Sequence, residues 1–310
     1  AGDDGRDLPF LINQTPSIVT TGDAGNGIGY SGIRVRGTDA SRINVTANGV
    51  PVNDSESHRV YWVNMPDLAS SVRDIQLQRG AGTSTNGAGA FGASINMLTE
   101  APSLERYAEV SASYGSFNSN RQTVKVGSGI FGDHWSVDAR FSHIGSDGYI
   151  ERAFSKLWSY QGQLAYRADN TLLRLLAFGG HECTYMAWDY ASKEQMEKYG
   201  RRYNPCGEYT ASDGTTAYYP DQCDNFTQHH LQLLLNQGLG QYMRLNAALH
   251  YTKGDGYYDQ YKTRRTLEEY GLSNFTGPHG EEISKSDLIR LKFNDNDFGG
   301  AMLNLNYKRG

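Results

Sequence analysis

The chain has 310 residues, of which 38% are hydrophobic, 36 are glycine and 21 are tyrosine. Ordinary soluble domains carry roughly 45–50% apolar residues (glycine included) and about 7% glycine, so this mixture suits turns and amphipathic strands better than a helix bundle. The net charge of −5 and a pI near 5.9 exclude the basic footprint that nucleic acid demands, and no run approaches the roughly 18 apolar residues of a transmembrane helix.

The first ten residues lack the basic-then-apolar profile of an export signal, so any such signal is expected to have been removed already. Residues 1–102 are dense in Gly, Ala, Ser and Asn and hold short β-like runs at 33–36, 43–46 and 75–78. After Ala101-Pro102 the texture changes to longer alternating segments, which divides the chain into 1–102 and 103–310.

Successive side chains of a strand face opposite ways, and the second region reads accordingly. Ala108, Val110, Ala112 and Tyr114 alternate with Tyr107, Glu109, Ser111 and Ser113; Trp135, Val137, Ala139 and Phe141 alternate with Ser136, Asp138, Arg140 and Ser142. Similar patterns run through 158–167, 242–251 and 301–308, and looser ones through 121–128, 171–179 and 229–236. Eight strands are expected. The connections at 130–133, 168–170 and 237–241 are tight, while those at 115–120, 145–156, 180–228 and 252–299 are longer. Strict alternation of short and long connections is the pattern of a membrane barrel with turns at one rim and loops at the other. Aromatics toward strand ends (Tyr107, Tyr114, Trp135, Trp158, Tyr166, Tyr242, Tyr251, Tyr307) match interfacial girdles. The competing reading is a soluble sheet, one face on a core and the other in water. Eight strands without a closing partner leave open edges that lipid does not tolerate, so the chain is expected to be a piece of a longer barrel.

Cys183, Cys206 and Cys223 lie close in sequence. A loop disulfide between Cys206 and Cys223 is one reading and unpaired loop thiols the other; no spacing supports a zinc site. The glycine-rich stretch Arg79–Asn96 lacks the Lys of a phosphate-binding loop, and Gly25-Asn-Gly27-Ile-Gly29 runs into an extended segment rather than a helix. Close backbone packing explains both. There is no nucleophile elbow, and Glu268-Glu269 and Glu281-Glu282 sit in polar loop sequence. Nothing asks for an enzyme, a cofactor or a resident metal.

Five stretches, in order, resemble the plug domain of TonB-dependent outer-membrane receptors: Leu8–Val19, Ser31–Thr38 with its Ile-Arg-Val-Arg-Gly core, Asn48-Gly-Val-Pro-Val-Asn53, Val72–Gly80, and Asn86–Asn96. The remainder is similar to the first third or so of that family's barrel. Departures are Asn48 where the family usually has Asp, and Ala81 where Pro usually follows Arg-Gly. The stretch 78–83 also lacks the Leu-Lys-Asp-Ala-Ser of SusC-type glycan importers, which favours the siderophore, haem and vitamin branch.

The resemblance implies a mixed α/β plug (1–102, its start and the energising TonB box missing) inside an antiparallel transmembrane β-barrel. That barrel has about 22 strands in the whole protein, with about eight in 103–310. It also implies an outer-membrane location in contact with lipid, a TonB–ExbB–ExbD partner, and a nutrient such as a ferric chelate, haem or vitamin. Arg36 and Arg79 are then expected to lock the plug to barrel-wall carboxylates. Ligand contacts are expected from Asp54, Glu56, His58, Arg59, Tyr61 and Trp62 in one plug apex, Asn26 and Tyr30 in a second, and His181, Tyr185 and Trp188 in barrel loops. His58 and His181 near one axis would suit haem iron or a ferric chelate. The alternatives are a SusC-type glycan or peptide importer working with a surface lipoprotein, and a soluble all-β adhesin or carbohydrate-binding protein.

Overall fold

A computed structural model of the chain describes residues 5–81 and 91–308; residues 82–90 of the glycine-rich stretch lie outside them. The first region opens with a one-turn helix, α1 (Leu8–Leu11), and an antiparallel hairpin of β1 (Ile18–Gly22) and β2 (Ser31–Val35). A four-stranded sheet follows, built from β3 (Ile43–Ala47), β4 (Val50–Pro51), β5 (Val72–Arg79) and β6 (Ala93–Thr99). Its order is β4-β3-β6-β5, with β3 and β6 parallel and the other pairs antiparallel. Asn48 (φ 57) and Gly49 (φ 83) form the two-residue link between β3 and β4. Both occupy the left-handed region that such tight hairpins require.

The second region is one eight-stranded antiparallel sheet. Its strands are β7 (Arg106–Gly115), β8 (Ser119–Ser128), β9 (Trp135–Ser146), β10 (Ser155–Ala168), β11 (Thr171–Tyr185), β14 (Cys223–Leu239), β15 (Met243–Thr266) and β18 (Lys285–Tyr307). Each pairs with its neighbour in chain order, so β7 and β18 are the two edges. Helix α2 (Lys193–Tyr199) and the short pair β12 (Glu208–Thr210) and β13 (Thr216–Tyr218) lie between β11 and β14. The pair β16 (Phe275–Thr276) and β17 (Glu282–Ile283) lies between β15 and β18. No helix among the described residues is long and apolar enough to cross a membrane.

All eight expected strands are present, but several run further than their alternation suggests. β15 has 24 residues and β18 has 23, so most of the expected loop 252–299 is strand, and the loop 180–228 shrinks to 186–222. The expected alternation of connection lengths also fails at the first hairpin, where the link 116–118 is shorter than the turn 129–134.

The two faces of the sheet invert the usual arrangement of a water-soluble protein. On β9, Ser136, Arg140 and Ser142 are buried while Trp135, Val137 and Phe141 are exposed, Phe141 by 53%. On β10, Ser159, Gln161 and Gln163 are buried and Trp158 and Leu164 exposed; on β14, His230 and Gln232 are buried and Leu231 and Leu233 exposed. Val110, Leu249 and Leu303 continue the exposed apolar face across the sheet. An outward apolar face over an inward polar one is the signature of a transmembrane barrel wall. At the turn rim Trp135 meets Tyr166 (5.0 Å) and Tyr242 meets Tyr307 (6.4 Å). Tyr107 does not belong to this belt: its ring covers Gly127 on the inner face, beside Asp138.

The core sits between the two regions. Ile33, Val35, Ile43, Val45, Trp62, Leu68, Ile95 and Met97 pack with Leu176 and Phe178 of β11, and the Phe178 ring stacks on buried His230 of β14 at 4.6 Å.

Candidate functional site

The first region is fastened to the wall by polar contacts, and the strongest centres on Asp67, a buried residue in the left-handed conformation (φ 53). Arg140 Nη1 donates to Asp67 Oδ2 at 3.2 Å and Arg121 Nε lies 3.5 Å from Oδ1. Thr123 donates at 3.0 Å and Ser142 also donates. Arg140 further donates to Ser71 (2.6 Å) and Ser159 (3.0 Å). A buried carboxylate with two guanidiniums and several hydroxyls is fully answered, the condition under which burying charge is tolerated. Other fastenings are Lys125 to Glu100 (3.0 Å), Arg174 to Thr99 (2.8 Å) and Asn48 to Gln232 (3.2 Å). Asn48 also accepts from the Thr99 backbone N–H and hydroxyl. It therefore uses both ends of its amide, a bonding pattern an ionised Asp lacks the donor to make.

Arg36 and Arg79 stand elsewhere. Both are exposed, and Arg79 donates to the Pro16 carbonyl at 3.3 Å. Neither forms an ion pair among the described residues. The locking charges that the structure displays have the opposite sense: the acid is on the first region and the arginines are on the wall.

Above these contacts lies a cavity of about 740 Å³. Its floor is the segment 52–65. Asp54 Oδ1 accepts from the backbone N–H groups of Glu56 and Ser57 (3.2 and 2.6 Å), which turns the chain. Asn53 ties the turn to β3 through the Val45 N–H and the Ile43 carbonyl (2.7 and 2.9 Å). The walls come from β11, β14, β15 and β18 through Glu182, Asp224, Phe226, Gln228, Tyr257, Tyr258 and Asn294–Asn296. Gly256 gives Phe226 its space, since a Cβ there would sit 2.7 Å from the ring.

Of the residues singled out from sequence, Asp54, Glu56, Arg59, Tyr61, Tyr30 and Trp188 line this one cavity. The others do not. Trp62 is buried in the core. Asn26 donates to Ser119 (3.2 Å) and Ser146 (2.7 Å), fastening its apex to the wall. His58 occupies the turn with φ 58. His181 stacks on Trp158, an outward residue, and bonds Thr227 at 3.0 Å. Tyr185 donates to the Tyr219 carbonyl at 2.9 Å, holding the 186–222 loop. The two histidines therefore share no axis, and no group of three or more metal-ligating side chains occurs among the described residues.

That loop also reaches the second apex: Tyr190 donates to Asp23 at 2.8 Å, and burial together with Asp23 pushes the Tyr190 phenol up to about 12. Tyr30 donates to Asp224. Burial, with Glu182 and Asp224 close by, raises its phenol well above the usual value. All three cysteines are free thiols; Cys206 and Cys223 are buried in one cluster with Tyr185 and Met186, and Cys183 packs against it.

Sequence reading missed Glu182, Asp224, Phe226, Tyr257 and Tyr258 because it placed them in loops. The available signal was alternation of a different kind: Asp224 and Phe226, then Gly254, Gly256 and Tyr258, keep a period of two that continues the inward faces of β14 and β15.

The profile of the TonB-dependent receptor plug domain matches residues 4–94. The vitamin B12 transporter BtuB of Vibrio cholerae serotype O1 is 27% identical over 169 residues, which is 54% of this chain and 27% of that protein. Among solved structures, the copper transporter OprC superposes with a TM-score of 0.68 at 15% identity, covering 100% of this chain and 43% of that one. BauA, the ferric preacinetobactin receptor from Acinetobacter baumannii, gives 0.67 at 14% identity (97% and 42%). The ferric-catecholate import receptor Fiu from E. coli K12, in its open form, gives 0.64 at 16% (97% and 44%). The chain thus spans about a quarter of the curated relative and less than half of these structures, and at such identities the structural likeness speaks for the fold.

Proposed function

For a chain whose residues 4–94 are a TonB-dependent receptor plug and whose eight long strands match that family's barrel, we propose the role of a nutrient importer of the outer membrane. The family is one of transporters and receptors, not of enzymes. In this reading the plug ends at 102 and the barrel begins at 103, a division supported by the change from β6 of the small sheet to β7 of the large one. The outward apolar face meets outer-membrane lipid, and strands beyond β7 and β18 complete the barrel, because unpaired strand edges are not tolerated in a bilayer.

One observation carries the reading: the cavity between the plug apex and the upper wall has the size of a small-molecule site. A ferric siderophore, haem or a vitamin binds there, on the face away from the turn rim. Binding leaves the plug fastened below by Asp67, so the ligand cannot pass until those contacts break. The TonB–ExbB–ExbD complex supplies the force that does so. Arg36 and Arg79, on the exposed part of the plug, remain candidates for wall contacts made by barrel strands beyond the eight.

The test is binding by the full-length, detergent-purified receptor to a panel of ferric siderophores, haem, cobalamin and thiamine, followed by uptake in cells with and without TonB. Tight binding of one member and TonB-dependent uptake are expected. Silence across the panel, together with a co-purifying surface lipoprotein, overturns this in favour of glycan or peptide import.

A further inference from the structure

The cavity is acidic in a particular way. Asp54, Glu56, Glu182 and Asp224 all line it. Its one lining cation, Arg59, is held 3.0 Å from Asp39. A fifth lining acid, Asp295, is answered by Lys253. Asp54 spends an oxygen on its own turn and Asp224 accepts from Tyr30.

Glu182 differs from all of them. It is fully buried, and neither carboxyl oxygen has a partner in hydrogen-bonding geometry; the Thr184 hydroxyl beside it closes no normal bond either. A buried carboxyl in this condition is costly unless something else supplies the counter-charge. In the same lining stand three rings in edge-to-face contact, Tyr30 on Trp188 at 5.5 Å and Trp188 on Tyr258 at 6.0 Å, with Tyr30 close to Glu182. The faces of Tyr30 and Trp188 beside a buried carboxyl that has no partner attract an organic cation, through the ring quadrupole and through the carboxylate that an incoming cation stabilises, while the Tyr258 ring already carries Lys292 Nζ at 5.2 Å. A metal ion would need several ligating side chains converging, and the described residues offer no such group.

We propose that this cavity selects a cationic organic ligand, one presenting a protonated amine or guanidinium to Glu182 between Tyr30, Trp188 and Tyr258. The proposal rests on the importer reading for taking the cavity as the nutrient's site, and it narrows the nutrient to one bearing positive charge. Anionic chelates are disfavoured by the same four acids.

The test compares three probes with one ring and a similar tether: phenethylammonium, 2-phenylethanol and 3-phenylpropionate. Each is measured against the full-length receptor in detergent by saturation-transfer NMR and calorimetry at millimolar concentration. The ammonium is expected to bind roughly tenfold or more tightly than the alcohol, with the carboxylate weakest. Glu182→Gln should bring the ammonium down to the level of the alcohol and leave the alcohol unchanged; Asp224→Asn should give a smaller loss in the same direction. The wild-type series needs no variant to fold. Equal binding of ammonium and alcohol, preference for the carboxylate, or no binding by any probe overturns the proposal. Nutrient uptake that proceeds equally without TonB, with the cation preference intact, would sink the importer reading alone.

Discussion

Two buried acids, Asp67 and Glu182, sit at the two levels where plug meets wall, and they are treated in opposite ways. Asp67 has two arginines and three hydroxyls around it; Glu182 has no formed hydrogen bond. Burial costs a carboxylate its water in both places. At the lower level the protein supplies the replacement itself, which yields a fixed joint. At the upper level it leaves the replacement to come from outside, which yields a receptive surface. The same wall strands serve both purposes at different heights.

The largest expected effect comes from breaking the saturated site. Asp67→Ala strands Arg121 and Arg140 without a carboxylate, and losing one partner of a buried pair costs about 3–5 kcal/mol. Hydrogen exchange over residues 62–71 of the full-length receptor should then approach the rate of an unseated plug. Unchanged protection would show that the joint is not a fastening.

A middle case is Asp7, a third buried acid, lying under the β1–β2 hairpin. Burial raises its carboxyl to about 8, against about 4 in an unfolded chain. Between those values the folded plug holds a proton that the unfolded chain has released. Its contribution to stability therefore falls as pH rises from about 4 to about 8 and is level above that. The protection factor at residues 7–11, which is exchange measured against the pH-dependent intrinsic rate, should fall across this range, and Asp7→Asn should flatten the fall. A slope that survives the substitution would assign it to another group.

The smallest effect is expected at the receptive site. Glu182→Gln replaces a buried carboxyl that has no hydrogen bond by an amide of nearly the same shape, so the unfolding free energy should stay within about 1 kcal/mol of the wild type or rise. A loss as large as that at Asp67 would erase the contrast between the two levels.

Much of this architecture was legible in the sequence where lipid imposes a rule. Val137 and Phe141 against Ser136 and Ser142 announce a strand because one face must be apolar. Above the bilayer that rule lapses. Residues 254–266 of β15 and 285–300 of β18 lack a continuous apolar face, because Gly, Asp, Asn and Lys interrupt it, so they read as loop although they pair along their length except at the register shift after Lys262. The apex was legible for the same reason turns usually are: Asn53-Asp54 and the charged residues after it mark a polar bend between apolar runs. The lock was not. Asp67 looks like an ordinary turn acid after Met65-Pro66, and its partners Thr123 and Arg140 are separated from it by 56 and 73 residues. Only folding brings an interior Arg140 on β9 opposite it. His181 misled because an isolated loop histidine resembles a ligand, whereas one more residue of strand turns it outward.

The height of β15 and β18 has a consequence for how the rim of the sheet can be altered. A tilted strand crosses a bilayer in about 9–11 residues, and these run to 24 and 23. The surplus answers to no lipid, so paired insertions of two residues on each strand would raise the rim without turning any side chain below it, while a single insertion would need a bulge to absorb it. The register shift between Lys262 and Arg265, with Arg264 at φ 47, is a bulge or irregularity of that kind already in place. The upper hairpin can therefore be lengthened or trimmed like the brim of a cup, leaving the seat of the plug as it was.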